Sequence, residues 1–246
     1  MTFELSPATR AKLAKVGSAN VANALLRRGF RNVYLLGVQP LSMDQGPMVG
    51  PAYTLRFMPA REDIDTMANY GREDNLHRRA IEECPTGHVL VIDTGNCSRA
   101  AAAGDLMVAR LRQRGVAGVV TDGGYRDTPS IRHIGLPAYQ RQSAPPATPI
   151  ALHPVELNGP IGCAGVAVYP DDVVLGDGEG VVVIPWALVE PIADEAVDAV
   201  EYEAFAELQI AQGRSIFGLF PATPESRKEY DGWVAAGRPI HMENVK

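Results

Sequence analysis

Residues His88–Asp127 read HVLVIDTGNCSRAAAAGDLMVARLRQRGVAGVVTDGGYRD. Two apolar runs bound this stretch. His88–Asp93 (HVLVID) and Val116–Thr121 (VAGVVT) are short, β-branched and nearly uninterrupted, the pattern of strands covered on both faces. Between them, Asp105–Arg114 places Met107 and Leu111 on one helical face, and Gly115 closes it. Strand, helix and strand over about 34 residues make a βαβ unit, expected to be right-handed with parallel strands.

The flanks extend the same α/β reading. Residues 8–28 repeat Ala11, Leu13, Ala14, Val21, Ala24 and Leu25 at helical spacing before Gly29, which predicts a helix or a helix pair. Gly50–Met58 (GPAYTLRFM) predicts a strand, and Asn69–Glu83 a charged, exposed helix ended by Pro85–Gly87. After a Pro-rich loop at 143–149, short apolar runs alternate with turns up to Pro185, a β-rich pattern suited to hairpins. Trp186–Gln212 is the longest helical pattern, with Val189, Ile192, Val197, Val200 and Leu208 as its apolar side and Gly213 as its cap. The tail from Arg214 carries Phe217, Phe220, Tyr230 and Trp233, large aromatics that need a surface to cover. No repeat or linker interrupts the chain, so one α/β domain over 1–246 is expected, with its tail at 214–246.

Composition narrows the function classes. The 246 residues are 46% apolar and 21% charged, an ordinary globular balance. A net charge of −6 argues against a nucleic-acid or anionic-membrane surface. No apolar run approaches the roughly 18 residues of a membrane span. Met1–Lys12 has no signal-peptide core. Cys84, Cys97 and Cys163 form no CxxC pair, which points to a reducing, cytoplasmic setting and away from structural zinc. The five histidines make neither HxH nor HExxH. Lysine excludes most. Only Lys12, Lys15, Lys228 and Lys246 exist, so the long interior lacks the lysine of a Schiff-base aldolase, a PLP enzyme or a phosphate loop.

Two motifs can carry chemistry. Gly104-Asp105-Leu106-Met107 sits where a loop becomes a helix. Backbone N–H groups of Leu106 and Met107 can there receive a carboxylate or phosphate, with the helix dipole behind them. The plainer reading is that Asp105 caps the helix. Asp122-Gly123-Gly124-Tyr125-Arg126-Asp127 follows the second buried strand, where ligands of open α/β sheets gather. Arg126 suits a carboxylate and Asp127 a hard cation. The plainer reading is an exposed ion pair on a surface loop.

Together these segments resemble the RraA-like superfamily, which includes 4-hydroxy-4-methyl-2-oxoglutarate aldolase/oxaloacetate decarboxylase and the regulator of ribonuclease E activity A. The resemblance rests on Asp93–Gly95, Gly104-Asp105-Leu106, Gly115, Gly118, Val119, Asp122, Gly123, Arg126-Asp127 and Gly135-Leu136-Pro137, including the 21-residue step from Asp105 to Arg126. Tyr169-Pro170-Asp171-Asp172 and Gly176–Pro185 extend it, so that it runs from about residue 15 to 215. Glu179 stands where the family more often has Asp, and Asn20 and Asn23 where it often has other polar or acidic residues. The implied fold is α/β: a layered β/β/α core like that of swivelling phosphohistidine domains, with N-terminal helices and a C-terminal helix plus tail.

The resemblance also implies roles. Asp127 would ligate Mg²⁺ or Mn²⁺, with water completing the shell, and Arg126 would contact the pyruvyl part of a small 2-keto acid. Asp105 would hold a water, and Gly104 with the backbone of Leu106 and Met107 would receive the pyruvate carboxylate. Glu203 from a neighbouring subunit would hold a further water, with Glu201 the alternative. The expected partners are copies of the same chain, as a homotrimer or a hexamer of two trimers, and neither nucleic acid nor membrane. The implied activity is a metal-dependent pyruvate aldolase with oxaloacetate decarboxylation, needing no PLP, NAD or Schiff-base lysine. The alternative is a non-catalytic, protein-binding regulator. Arg56, Arg61 and Arg72 are candidates for a distal substrate carboxylate, whereas His133 and Cys97 read as structural.

Overall fold

The computed structural model describes residues 4–239. Its strands are β1 Gln39–Pro40, β2 Met48–Pro59, β3 Val89–Asp93, β4 Ala101–Ala103, β5 Gly118–Thr121, β6 Gly124–Tyr125, β7 Ala138–Gln140, β8 Leu152–Leu157, β9 Val173–Asp177 and β10 Gly180–Ile184. Its helices are α1 Pro7–Arg27, α2 Met67–Tyr70, α3 Leu76–Glu83, α4 Asp105–Gln113, α5 Thr128–Ile134, α6 Val189–Ala211 and α7 Pro224–Ala235. The chain forms two compact units, divided between Ala193 and Asp194.

The first unit is built on β2. Met48–Pro51 pair antiparallel with β9, Ala52–Arg56 parallel with β3, and Leu55–Pro59 antiparallel with β8. The sheet order is β1-β7-β5-β3-β2-β9-β10, with β8 attached to β2. Val33–Leu35, just before β1, also bonds β10 through Leu35 N to Val181 O and Val183 N to Val33 O, so the two ends of the sheet nearly meet. The expected βαβ unit is present. β3 and β5 run parallel, in register from Val89↔Gly118 to Ile92↔Thr121. Their apolar runs are continuous because both faces are covered. Leu90, Ile92 and Val119 enter a core shared with α3 and α4, whereas Val89, Val91 and Val120 enter a second core with Ile161, Val166 and Val168. Successive side chains of a strand point to opposite faces, so one strand feeds both layers.

The structure refines several local expectations. The 8–28 segment is a helix pair: α1 breaks at Gly17, whose φ of 78° lies in the left-handed region. Asp177 restarts it, accepting Ser18 N at 2.6 Å and Ser18 Oγ at 2.8 Å. The single helix expected at 69–83 is two, α2 and α3, separated at 71–75. Thr66 and Asn75 cap them separately, the latter accepting from His77 N at 3.0 Å. The helix from Trp186 begins as a 3-10 turn at Trp186–Leu188. Asp172 holds its start, accepting Trp186 N at 3.1 Å and Tyr169 N at 3.0 Å. Burial raises the Asp172 carboxyl. Glu179 sits in the β9–β10 turn, where its N–H donates to Asp177.

In the second unit the later half of α6 packs on α7. Phe205, Tyr230 and Trp233 stack with ring centroids 5.5–6.2 Å apart. Tyr202 adds a hydrogen bond to Ser226 Oγ at 2.8 Å. Tyr230 and Trp233 thus find their surface on α6. Phe217 and Phe220 do not: they stay 88% and 46% exposed. The tail residues 240–246, Lys246 among them, lie outside the described residues. Among the described residues no helix is long and apolar enough to cross a membrane.

Candidate active site

The hexapeptide read as a loop is partly a strand. β6 pairs in parallel with β4, the AAA run that reads as a connection in the sequence, through Ala101↔Gly124 and Ala103↔Tyr125. A three-alanine strand has no periodicity to betray it. The ladder continues in Arg126 N–H donating to Ala103 O at 3.1 Å. It therefore brings Gly104 against Arg126 and Asp127, joining the two chemical motifs. A Cβ at Gly104 would stand 3.0 Å from Arg126 Nε and 3.2 Å from Asp127 Oδ2. That is a tight contact with side-chain atoms, so a larger residue there would push the Arg126–Asp127 pair aside. Gly123 and Gly124 are stricter: a Cβ would lie 2.6 Å from the Cys97 backbone O or 2.1 Å from the Gln142 backbone O, which leaves no room for a side chain.

Arg126 Nε donates to Asp127 Oδ2 at 3.0 Å, and its terminal nitrogens donate to no described residue. Asp127 begins α5 with φ 56°, ψ 33°, a left-handed conformation, and its side chain makes no capping bond. Asp105 is the first residue of α4, after Gly104 as N-cap. Its Oδ1 accepts Leu106 N–H at 2.8 Å, and Met107 N–H donates to Gly104 O at 3.1 Å. Both N–H groups expected to face a ligand are thus engaged within the helix start. Glu203 lies in the second unit, on α6, and makes no hydrogen bond or ion pair with a described residue. Its rival Glu201 is tied to Arg238 at 2.9 Å and to Tyr230 OH at 3.3 Å.

Gly104–Met107 and Arg126 line a cleft of about 400 Å³. Its other wall comes from the 60–82 region, with Met67, Tyr70 and Arg78. Asp122, four residues before Arg126, is fully buried and clamps the neighbouring loops: it accepts from Thr94 N and Oγ1 at 2.7 Å, Asn96 N at 3.0 Å and Ala164 N at 3.2 Å. Tyr125 is fully buried beside it, and burial pushes its hydroxyl well above the usual range.

The RraA-like (Aldolase/RraA) family model matches residues 18–183. This chain belongs to the RraA-like family. It is 33% identical over 164 residues to a Halalkalibacterium halodurans protein provisionally named 4-hydroxy-4-methyl-2-oxoglutarate aldolase, covering 65% of this chain and 69% of that one. It is 35% identical over 116 residues to the 4-hydroxy-4-methyl-2-oxoglutarate aldolase of Thermus thermophilus, covering 46% and 69%. Among solved structures, Streptomyces coelicolor RraAS2, described as an unusual member of the RNase ES inhibitor RraA protein family, superposes with a TM-score of 0.75 at 31% identity. That match covers 84% of this chain and all of the other.

In this RraA-like chain the remaining candidates separate cleanly. Arg56, Arg61 and Arg72 are not in the cleft. They pair with Glu156 at 2.8 Å, Asp63 at 2.6 Å and Asp74 at 2.6 Å. Arg78 and Arg110 line it instead. The sequence showed both as ordinary helix arginines, because a linear pattern does not say which wall a helix will face. His133 bonds Pro129 O at 2.7 Å on α5, and Cys97 packs against the core.

Proposed function

We propose that this protein is a divalent-metal-dependent lyase that cleaves a 4-hydroxy-2-oxo acid to pyruvate and a carbonyl compound, and that it also decarboxylates oxaloacetate. The observation that carries the reading is Arg126 with Gly104-Asp105 on one wall of a cleft, and Asp127 held beside them by its pair with Arg126 and its approach to Gly104. The names of the aldolase relatives agree with it.

Among the described residues no three His, Cys, Asp or Glu side chains gather as a metal cage. Such a sparse donor set suits a hard cation that keeps most of its water, and Asp127 would hold it. Mg²⁺ or Mn²⁺ bound there supplies Lewis-acid polarisation of the keto acid. The chain's own residues do the rest. Arg126 has its terminal nitrogens free to fork onto carboxylate and keto oxygen. It stabilises the charge that grows on the keto oxygen as the C3–C4 bond breaks to give the pyruvate enolate. Asp105 holds a water that takes the proton of the C4 hydroxyl as the C3–C4 bond breaks and relays a proton to the enolate carbon, so the retro-aldol step balances. When Asp105 turns to that water it releases Leu106 N–H, which then receives the carboxylate beside Gly104 at the positive end of α4, while Met107 N–H stays on Gly104 O. Glu203 of a neighbouring subunit holds a second water. Its lack of a partner among the described residues supports it over Glu201.

The test is NMR of pyruvate methyl hydrogen exchange in D₂O with Mg²⁺, Mn²⁺ or EDTA. Exchange that needs the cation is expected. Its absence with every metal overturns the lyase reading and supports the non-catalytic regulator, which the likeness to RraAS2 favours.

A further inference from the structure

Three arginines line the cleft: Arg78, Arg110 and Arg126. Two have carboxylates of their own. Arg110 is gripped by Glu82 through its Nε at 3.0 Å and a terminal nitrogen at 2.7 Å. Arg126 is paired with Asp127. Arg78 has no acidic partner among the described residues. Its Nε donates to Tyr70 O at 2.9 Å, and its guanidinium lies 5.3 Å from the centre of the Tyr70 ring. Tyr70 itself reaches towards the opposite wall, its hydroxyl 4.0 Å from Met107 Sδ.

This arrangement spends one N–H and one face of the fork on holding it still. The terminal nitrogens are left without a described acceptor. A guanidinium so fixed presents two parallel donors, the geometry that grips a planar carboxylate. Its place in the helix is also unfavourable by itself. Arg78 lies in the first turn of α3, which carries no acidic residue, and the helix dipole repels a cation there. An unpaired cation at the wrong end of a helix, facing a cavity, is explained by an anion in that cavity.

We propose that Arg78 determines specificity by binding a second carboxylate, on the half of the substrate away from Arg126. The cleft then selects 2-oxo diacids, whose carbonyl product is itself an acid, over 2-oxo monoacids that release a neutral aldehyde or ketone. This rests on the lyase reading above for its chemistry, and on the cleft alone for its binding.

The experiment compares retro-aldol kcat/KM on 4-hydroxy-2-oxoglutarate and 4-hydroxy-2-oxovalerate for the parent, Arg78→Met and Arg78→Lys, after the parent has passed the pyruvate exchange assay. The parent should prefer the diacid. Arg78→Met should lower the diacid-to-monoacid ratio by about 10- to 100-fold, the range of a lost charged hydrogen-bonded pair. Arg78→Lys should fall between, keeping charge without the fork. General damage to the fold would lower both substrates alike and leave the ratio. A parent without diacid preference, or a ratio unchanged in Arg78→Met, overturns the proposal while the lyase reading stands. If the parent shows no exchange, calorimetry of 2-oxoglutarate against 2-oxovalerate decides it. Tighter binding of the diacid that Arg78→Met abolishes supports Arg78, and equal or absent binding overturns it.

Discussion

Asp127 stands at a backbone position that L-residues seldom take, φ 56° and ψ 33°, without a capping bond to compensate. Asp tolerates this region better than most residues, and Gly takes it freely. Two variants therefore separate stability from activity. Asp127→Gly should melt within about 1 kcal/mol of the parent or above it, Asp127→Ala should be the less stable of the two, and both should lose metal-dependent exchange. Thermal melts beside the NMR assay check this, and normal turnover in either variant sinks the role of Asp127. For Arg126 the fork matters as well as the charge. Arg126→Lys should lower kcat as well as raise KM, because the lost donors face charge that grows in the transition state. A change confined to KM would make Arg126 a ground-state anchor only. These two residues were legible in the sequence as a pair. Their engagement with Gly104 was not, because it depends on β4 and β6 lying side by side.

At the scale of elements, α3 carries a buried histidine that nothing in its sequence marks. His77 is fully buried against Phe57, and burial pulls its pKa down to about 4 against a weaker opposing contact with the Ala102 backbone. The unfolded chain protonates this ring near pH 6.5, so between that value and about 4 the unfolded state binds the extra proton. Stability from this group is complete above pH 6.5 and falls by about 3 kcal/mol as the pH drops to 4. His77→Phe removes the titration, so urea midpoints measured from pH 7 to 4.5 should decline less steeply than in the parent. Parallel slopes would show that His77 does not contribute. At α1, Asp177 caps the segment that restarts after Gly17. Asp177→Ala should cost about 1–2 kcal/mol in urea unfolding, the usual loss of a cap, and an unchanged midpoint would refute that role. The GDGEG segment reads as a turn. Its work as a cap for a helix some 160 residues earlier needs the sheet that brings β9 to α1.

At the scale of the whole molecule, the second unit gives Tyr230 and Trp233 a surface within the same chain but leaves Phe217 and Phe220 open. Together with Glu203, which has no partner among the described residues, this suits the proposed trimer, or hexamer of two trimers, with sites shared between subunits. Light scattering after size exclusion should return a multiple of three chains. Mixing Asp127→Ala and Glu203→Ala subunits should restore part of the activity that each lacks, since some sites in mixed rings would then hold both intact residues. A fully active monomer, or mixed oligomers as inactive as their parents, would refute the shared site.

The sequence by itself determined the βαβ unit, the β9–β10 hairpin, the long C-terminal helix and the Gly104–Asp127 motif of an RraA-like chain. The first three are written in local periodicity and glycine placement, and local physics suffices to read them; the motif is read as a resemblance, carried by its fixed spacing. Tertiary structure alone decided which arginines face the cleft, that Asp122 is a buried clamp and that a run of three alanines is a strand. It also decided that the expected 69–83 helix breaks in two. These outcomes depend on partners far away in sequence. Arg56 is neutralised by Glu156, a hundred residues on, while Arg78 is left with a cavity to face. No pattern within either residue's own helix or strand encodes that difference, because it arises only when the sheet closes and assigns each face its neighbour.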